Sequence, residues 1–432
     1  MKRVLIITYY WPPSGGGGVM RWLKMSKYLP EYGWKPVIYT PENPDASVID
    51  ESLSSEIHPD TEIIKTPIWE PYGIFRKFAG IKKKEKLAVG YISDASSGNW
   101  KNRLSVFIRG NFLIPDPRKF WIKPSVKFLT AYLEKNPVDL IVSTGPPHSM
   151  HLIALGLRKK TDVAWIADFR DPWTDIYFYD KLRLTRRGDR KHRKLELKVL
   201  ENADFAVTVS PNCAEILNKV PGKKVKIINN GYDHVDFEEL TVIPDNNFSI
   251  AHFGVLNADR NPAILWKALG KLCKEDAEFR SLLKIRLIGQ VDETVIREIE
   301  ENGLGVNLDQ IGHLPHRQGL QELAKSQILL LPNIIAPNVK GVIPGKMYEY
   351  MALKRPILAV AQTDSDIAGI ISETRSGITV DFNDFDTMKS VLKNYFKLFK
   401  ENGLKVQSVG VEQYSRKNLT KKFIALAEGN LP

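Results

Sequence analysis

Three short stretches carry residues whose types and spacing suit the chemistry of anions. Ser14-Gly15-Gly16-Gly17-Gly18 strips the side chain from four successive positions. Backbone there can approach a ligand closely, and a helix that starts just after it turns free N–H groups and a positive dipole end toward that ligand. The stretch reads as a phosphate or sugar site, or as a plain flexible turn. Its spacing is neither GxGxxG nor that of a P-loop, and no acid ends the next strand. Gly254 to Arg260 repeats the arrangement in the second half, with Arg260 near a helix start, able to reach an anionic group or to sit in solvent. Pro344-Gly345-Lys346-Met347-Tyr348-Glu349 joins a turn whose amides can face an anion to a lysine charge. Glu349 lies one turn into a helix, where a carboxylate accepts two ribose hydroxyls or merely favours the helix dipole.

Two further stretches end strands. Asp168-Phe169-Arg170-Asp171-Pro172-Trp173 places three charges where open α/β sheets bind ligands, or else forms a salt-bridged strand end. Thr144-Gly145-Pro146-Pro147-His148-Ser149 should share that site, with His148 as polar lining, as a general base, or in an ordinary helix start. No metal site is expected.

The elements that must position these residues follow from apolar patterning. Runs at 4–7, 35–40, 139–143, 164–168, 205–210 and 225–228 read as parallel strands separated by apolar-periodic helices, the first at 19–29. A polar break at 244–247 precedes a second series at 249–254, 284–289, 327–332, 357–360 and 378–380. Strands alternating with helices twice over mean two doubly wound α/β domains. Residues 82–104 are polar and aperiodic and read as a loop.

Composition narrows the class. The 432 residues are 43% hydrophobic and 26% charged, which excludes a disordered, collagen-like or coiled-coil chain. A net charge of +12 points to an anionic partner: nucleic acid, phosphate ligands or a membrane surface. Residues 1–240 hold 38 Lys and Arg against 28 Asp and Glu, so a basic partner surface belongs to the first half. Two cysteines make no disulfide framework, which sets a reducing compartment, and no apolar run is long enough to span a bilayer. A soluble cytoplasmic protein is expected. Lys181–Lys194 contains eight Lys or Arg, and Phe107, Phe112, Phe120 and Trp121 interleave with Arg109, Arg118, Lys119 and Lys123. Basic plus aromatic is the mark of a membrane-interface surface, although a charge run is also an ordinary solvated face. No nucleic-acid-binding module is visible.

Taken together, these residues resemble the retaining glycosyltransferase family 4. The resemblance also rests on Val209-Ser210-Pro211, on Ile228-Asn229-Asn230-Gly231-Tyr232-Asp233 (similar to the family's IPNGVD), on Phe253-Gly254, Gly289 and Ile311-Gly312, and on the Glu349 helix followed by Arg355-Pro356-Ile357-Leu358-Ala359. It implies the α/β GT-B fold: two doubly wound Rossmann-like domains facing across a cleft. Residues 1–243 would bind the acceptor and 244–410 the nucleotide-sugar, with a helix in 411–432 packing back on the first domain. It implies a hexosyltransferase-like enzyme moving a sugar from a nucleotide-sugar donor to a glycan or lipid-linked hydroxyl, in bacterial surface polysaccharide synthesis, peripheral on the inner membrane face. No cofactor, metal or nucleic acid is implied. Arg170, Asp171, Arg260 and Lys346 would be catalytic. Gly15, Gly16, Gly17, Gly18, Gly254, Gly345 and Glu349 would bind donor, and His148, Ser149 and Asp168 acceptor. The sequence departs from the family where Val255 replaces an Arg, Gly341 replaces the first acid of E-x7-E, and Arg170-Asp171 replaces His-Asp. The alternatives are a nucleotide-sugar epimerase or hydrolase on the same fold, and a non-enzymatic anion- or nucleic-acid-binding protein.

Overall fold

The computed structural model describes residues 1–46, 48–71, 100–238, 240, 242–402 and 404–429. The chain forms two compact units, one of residues 1–230 and 416–432, the other of residues 231–415.

The first unit is built on seven parallel strands in the order β3-β2-β1-β4-β5-β6-β7. They are β1 (Lys2–Ile7), β2 (Trp34–Pro41), β3 (Glu62–Thr66), β4 (Leu140–Gly145), β5 (Ala164–Phe169), β6 (Phe205–Thr208) and β7 (Lys226–Ile227). β1 shows why the interior strands read as continuous apolar runs: Leu5 and Ile7 enter one core, Val4 and Ile6 the other. A strand buried on both faces has no polar side to alternate with. The helix Arg416–Ala427 covers one of these faces. Phe423 meets Trp22 edge-on at 5.2 Å, and Leu419, Ile424 and Leu426 join the same core.

The second unit repeats the plan with six parallel strands in the order β10-β9-β8-β11-β12-β13. They are β8 (Phe248–Phe253), β9 (Leu283–Ile288), β10 (Leu308–Gly312), β11 (Ile328–Pro332), β12 (Ile357–Val360) and β13 (Gly377–Val380). In both sheets the order reverses beside the first strand, at β1/β4 and at β8/β11. Loops leaving the carboxyl ends there form the ligand-binding crevice of open α/β sheets.

The structure corrects several expectations. The division falls after Asn230, not at the polar break near 244, because Tyr232, Phe237 and Leu240 already pack against the core of the second unit. Val411–Tyr414 also belongs to that unit. β3 and β10 went unanticipated: both are edge strands, half exposed and short on apolar residues. β6 stops at Thr208 because Ser210 turns to cap the helix Pro211–Leu217, accepting from the Cys213 amide. Of the loop expected at 82–104, residues 82–99 lie outside the described residues, and the remainder opens the helix Trp100–Phe112.

Candidate functional site

In the second unit, the groups that suit an anion gather where β8 ends. Gly254 follows β8 at φ +105°, and Gly289 follows β9 at φ +125°. A Cβ on Gly289 would stand 2.5 Å from the Gly254 carbonyl, and one on Gly254 would stand 2.9 Å from Lys346 Nζ. Gly254 therefore admits the lysine head to the strand end, and Gly289 lets the ends of β8 and β9 approach closely. Lys346 Nζ donates to the Phe253 carbonyl at 2.6 Å and to His252 Nε2 at 3.3 Å. His252 Nδ1–H donates to the Leu330 carbonyl at 3.1 Å, which leaves Nε2 as the acceptor. An ammonium has three N–H groups, so one remains for a ligand. Among the described residues Lys346 has no ion-pair partner. Burial pushes its pKa down to about 7; Arg260 pushes the same way and Glu349 opposes. Arg260 closes the 3-10 turn Ala258–Arg260, and its buried Nε has no hydrogen-bond partner among the described residues. Two cations thus stand near each other without an ion-paired carboxylate, an arrangement that favours an anion.

Glu349 lies in the first turn of the helix Lys346–Ala352, and His316 Nε2 meets its Oε1 at 3.0 Å. Gly345 is exposed, with open space where a side chain would start. Val255 is 48% exposed, so no side-chain charge substitutes for the family's Arg at this position. Gly341, in place of the first acid, is buried.

In the first unit several expected site residues are engaged by bonds within the fold. Asp168 is fully buried at the end of β5. Arg21 grips it with two N–H groups at 2.9 and 3.0 Å, Trp22 donates at 2.7 Å and Thr144 at 2.9 Å. Burial alone would raise its pKa, but Arg21, Trp22 and Thr144 together hold the carboxyl below its ordinary value. Three of these donors meet Oδ2 and one meets Oδ1, so the carboxylate ties β5 to the helix Gly17–Tyr28 through both oxygens. Ser149 is likewise engaged: its amide and hydroxyl both donate to Asp116 at 2.8 Å. Arg170 spends three N–H groups on backbone carbonyls, those of Gly18 (2.7 Å), Gly145 (3.3 Å) and Pro146. It braces the glycine turn against the end of β4. Gly15 is also fixed, donating to the Val48 carbonyl at 2.9 Å, whereas Gly16 and Gly17 have open space on their side-chain faces. The helix that follows has no side-chain cap.

His148 and Asp171 line a cavity of about 280 Å3 in this unit. Burial holds the Asp171 carboxyl above its ordinary pKa, with Arg170 opposing, and burial lowers that of His148. The cavity wall is fixed by Glu196, a buried carboxylate that accepts from the Trp173 and Thr174 amides and from Lys219. His148 and His151 stand three apart in sequence, but among the described residues no group of three His, Cys, Asp or Glu can hold a metal.

Sequence reading missed Arg21, Glu196, His252 and His316. Each acts on a partner distant in the chain, so no local motif announces it. The expected aromatic–basic surface also changes: Trp121 stacks on Tyr39 at 4.8 Å inside the core, and Arg118 is buried against Glu70. Phe112 and Phe120 do reach the surface.

Solved structures share this architecture. Sucrose-phosphate synthase from Thermosynechococcus elongatus is 14% identical, with a TM-score of 0.58 over 99% of this chain and 98% of its own. The lipopolysaccharide outer core galactosyltransferase WaaB is 14% identical, with a TM-score of 0.57 over 100% of both chains. A putative UDP-N-acetylglucosamine 2-epimerase from Listeria monocytogenes is 13% identical, at 0.54 over 99% and 96%. These likenesses place the chain in the GT-B fold. No curated protein matches it by sequence. The family model for Glycosyltransferase Family 4 matches residues 15–235, from the glycine turn through every later strand of the first sheet. Because that match takes in just over half of the chain and the second sheet completes the same fold, the chain belongs to Glycosyltransferase Family 4 and is a glycosyltransferase.

Proposed function

We propose that the protein transfers a hexose from a nucleotide-sugar to a hydroxyl of a glycan or lipid-linked acceptor, with retention of anomeric configuration. The observation that carries this reading is Lys346. Its ammonium is anchored by a carbonyl and an imidazole, lacks an ion pair among the described residues, and stands close enough to Arg260 for the two charges to interact. A diphosphate meets that charge, and the backbone can approach it at Gly254. Glu349 takes the ribose hydroxyls.

When the anomeric carbon leaves the phosphate oxygen, negative charge grows on the diphosphate, where Lys346 and Arg260 stabilise it. The acceptor oxygen bonds to that carbon on the same face, and its proton passes to the departing phosphate oxygen. No protein base is then obligatory, and Asp171 and His148 orient the acceptor. The basic first unit suits work at the inner face of a membrane in surface polysaccharide synthesis. No metal or cofactor takes part.

A thermal-shift panel of nucleotides and nucleotide-sugars tests the donor half. One nucleoside diphosphate series should stabilise the wild type and leave Lys346→Ala unmoved. A panel with no response in the wild type would remove the donor assignment. The anomeric signal of the product by NMR decides retention against inversion.

A further inference from the structure

The cavity of the first unit is walled mainly by apolar groups, among them Pro146, Pro147, Trp173, Phe178 and Tyr179. At about 280 Å3 it lies near the lower end of small-molecule sites, about 300–1,000 Å3, and suits one ring. His148 forms part of the wall, stacked on Trp173 with centroids 4.6 Å apart and planes 1° from parallel. Neither of its ring nitrogens has a hydrogen-bond partner among the described residues, and of the two only Nδ1 is sealed from solvent. Nε2 is therefore the nitrogen that opens on the cavity.

Which nitrogen carries the hydrogen follows from residues behind it. Trp165 Nε1–H donates to Ser143 Oγ at 2.9 Å. An indole only donates, and His151 Nδ1, 2.8 Å away, is the one acceptor within reach of the Ser143 hydroxyl among the described residues, so pairing the buried hydroxyl hydrogen directs it there. His151 then bears its hydrogen on Nε2. Burial keeps this ring neutral, with a pKa lowered to about 3. His151 Nε2 and His148 Nδ1 lie 2.6 and 3.0 Å from the point where a side chain on Gly145 would begin. They face a common space beside the bare glycine. Two N–H groups aimed into it would leave two buried donors opposed; a lone pair on His148 Nδ1 removes that opposition and leaves a single unpaired donor, on His151.

We propose that this cavity seats the acceptor and that His148 enters it as a hydrogen-bond donor through Nε2–H, its tautomer set by the chain Trp165–Ser143–His151. The site then selects a ring that presents an oxygen lone pair to His148 and rejects one that presents an N–H group there. His148 is not a base toward the acceptor. Ser143 and His151 are positioning residues that act through it. The assignment of the cavity to the acceptor rests on the proposed function; the tautomer does not.

The test uses the full chain with ¹⁵N-labelled histidine, eight residues in all. Long-range ¹H–¹⁵N spectra at pH 7 should show His148 and His151 both neutral and protonated on Nε2. Ser143→Ala should convert part of His151 to the other tautomer and shift the His148 signals. A His148 protonated on Nδ1, or charged at pH 7, overturns the proposal, and so does a Ser143→Ala spectrum unchanged at both rings. Octyl β-D-glucoside below its micellar concentration serves as the ring probe. It should shift the His148 Nε2–H signal, with Kd raised at least tenfold in His148→Phe and kept within about threefold in His148→Gln. Shifts confined to other histidines, or none, overturn the seat. Neither readout needs sugar transfer, so a failed nucleotide screen leaves both results standing, and a wrong tautomer leaves the nucleotide site untouched.

Discussion

Lys346 is half titrated near neutrality, and that gives its role a pH signature. With a folded pKa of about 7, it is mostly uncharged at pH 8. A diphosphate beside it favours the charged form, so nucleotide binding at pH 8 should take up a proton, and affinity should fall as pH rises from 6.5 to 8.5. Calorimetry in buffers of different ionisation enthalpy reads the uptake directly. Lys346→Arg should abolish it, and an enthalpy independent of buffer in the wild type would place the diphosphate elsewhere. Without nucleotide the sign is opposite in kind: the unfolded lysine binds its proton up to about pH 10.4, the folded one only to about 7. This residue therefore lowers stability below pH 7, and that cost is relieved between pH 7 and 10. Removing the charge by Lys346→Ala or Arg260→Ala should lower kcat by about ten- to a thousandfold, since both stand where charge develops. Glu349→Ala should weaken nucleotide binding by about 1–3 kcal/mol, because ribose loses its acceptor; equal affinity in a folded variant would end the ribose assignment.

At the scale of elements, the first unit depends on how β5 is tied to the helix Gly17–Tyr28. Asp168→Ala would leave the Arg21 guanidinium buried and unpaired, at a cost of about 3–5 kcal/mol. Urea unfolding should show the loss in the transition of the first unit, while nucleotide affinity in the folded protein stays at the wild-type value. An Asp168 that binds the acceptor would give the reverse pattern, with normal stability and a raised KM for the acceptor. The same elements show what sequence can disclose. β1, β4 and β11 were readable because double burial leaves an apolar run, and the glycine turn, Lys346 and Glu349 were readable because their chemistry is local. β3 and β10 were not, since an edge strand needs few apolar residues. Nor were the partners that decide what a motif does: Arg21 reaches Asp168 across 147 residues and Lys346 reaches His252 across 94. Asp168 and Arg170 stood out because they are charges at a strand end. A charge at a strand end must be satisfied, and here Arg21 and the backbone satisfy it.

Over the whole molecule, charge follows the two units. The first holds 42 Lys and Arg against 25 Asp and Glu; the second holds 20 against 25. The division after Asn230 makes the contrast sharper than the two halves of the sequence do. Much of the surplus lies together. All eight basic side chains of 181–194 are exposed, and Lys119 has its pKa lowered by burial and, beside that, by Lys191. Lys119 sits over the Phe120 ring at 5.0 Å, and exposed Trp69 meets the same ring edge-on at 4.8 Å. Among the described residues no helix is long and apolar enough to cross a membrane. Each basic residue near an anionic surface contributes about 1 kcal/mol, and the attraction fades with salt. The protein should therefore sediment with phosphatidylglycerol-containing liposomes at low salt, leave them at high salt, and ignore neutral liposomes. Changing Arg186, Arg187, Arg190 and Lys191 to Glu reverses four charges on the exposed face of one helix without touching the core. Binding should then disappear while the thermal transition stays in place. If these charges only meet solvent or substrate phosphate, wild type and variant will partition alike, and a water-soluble acceptor becomes the better fit to the first unit.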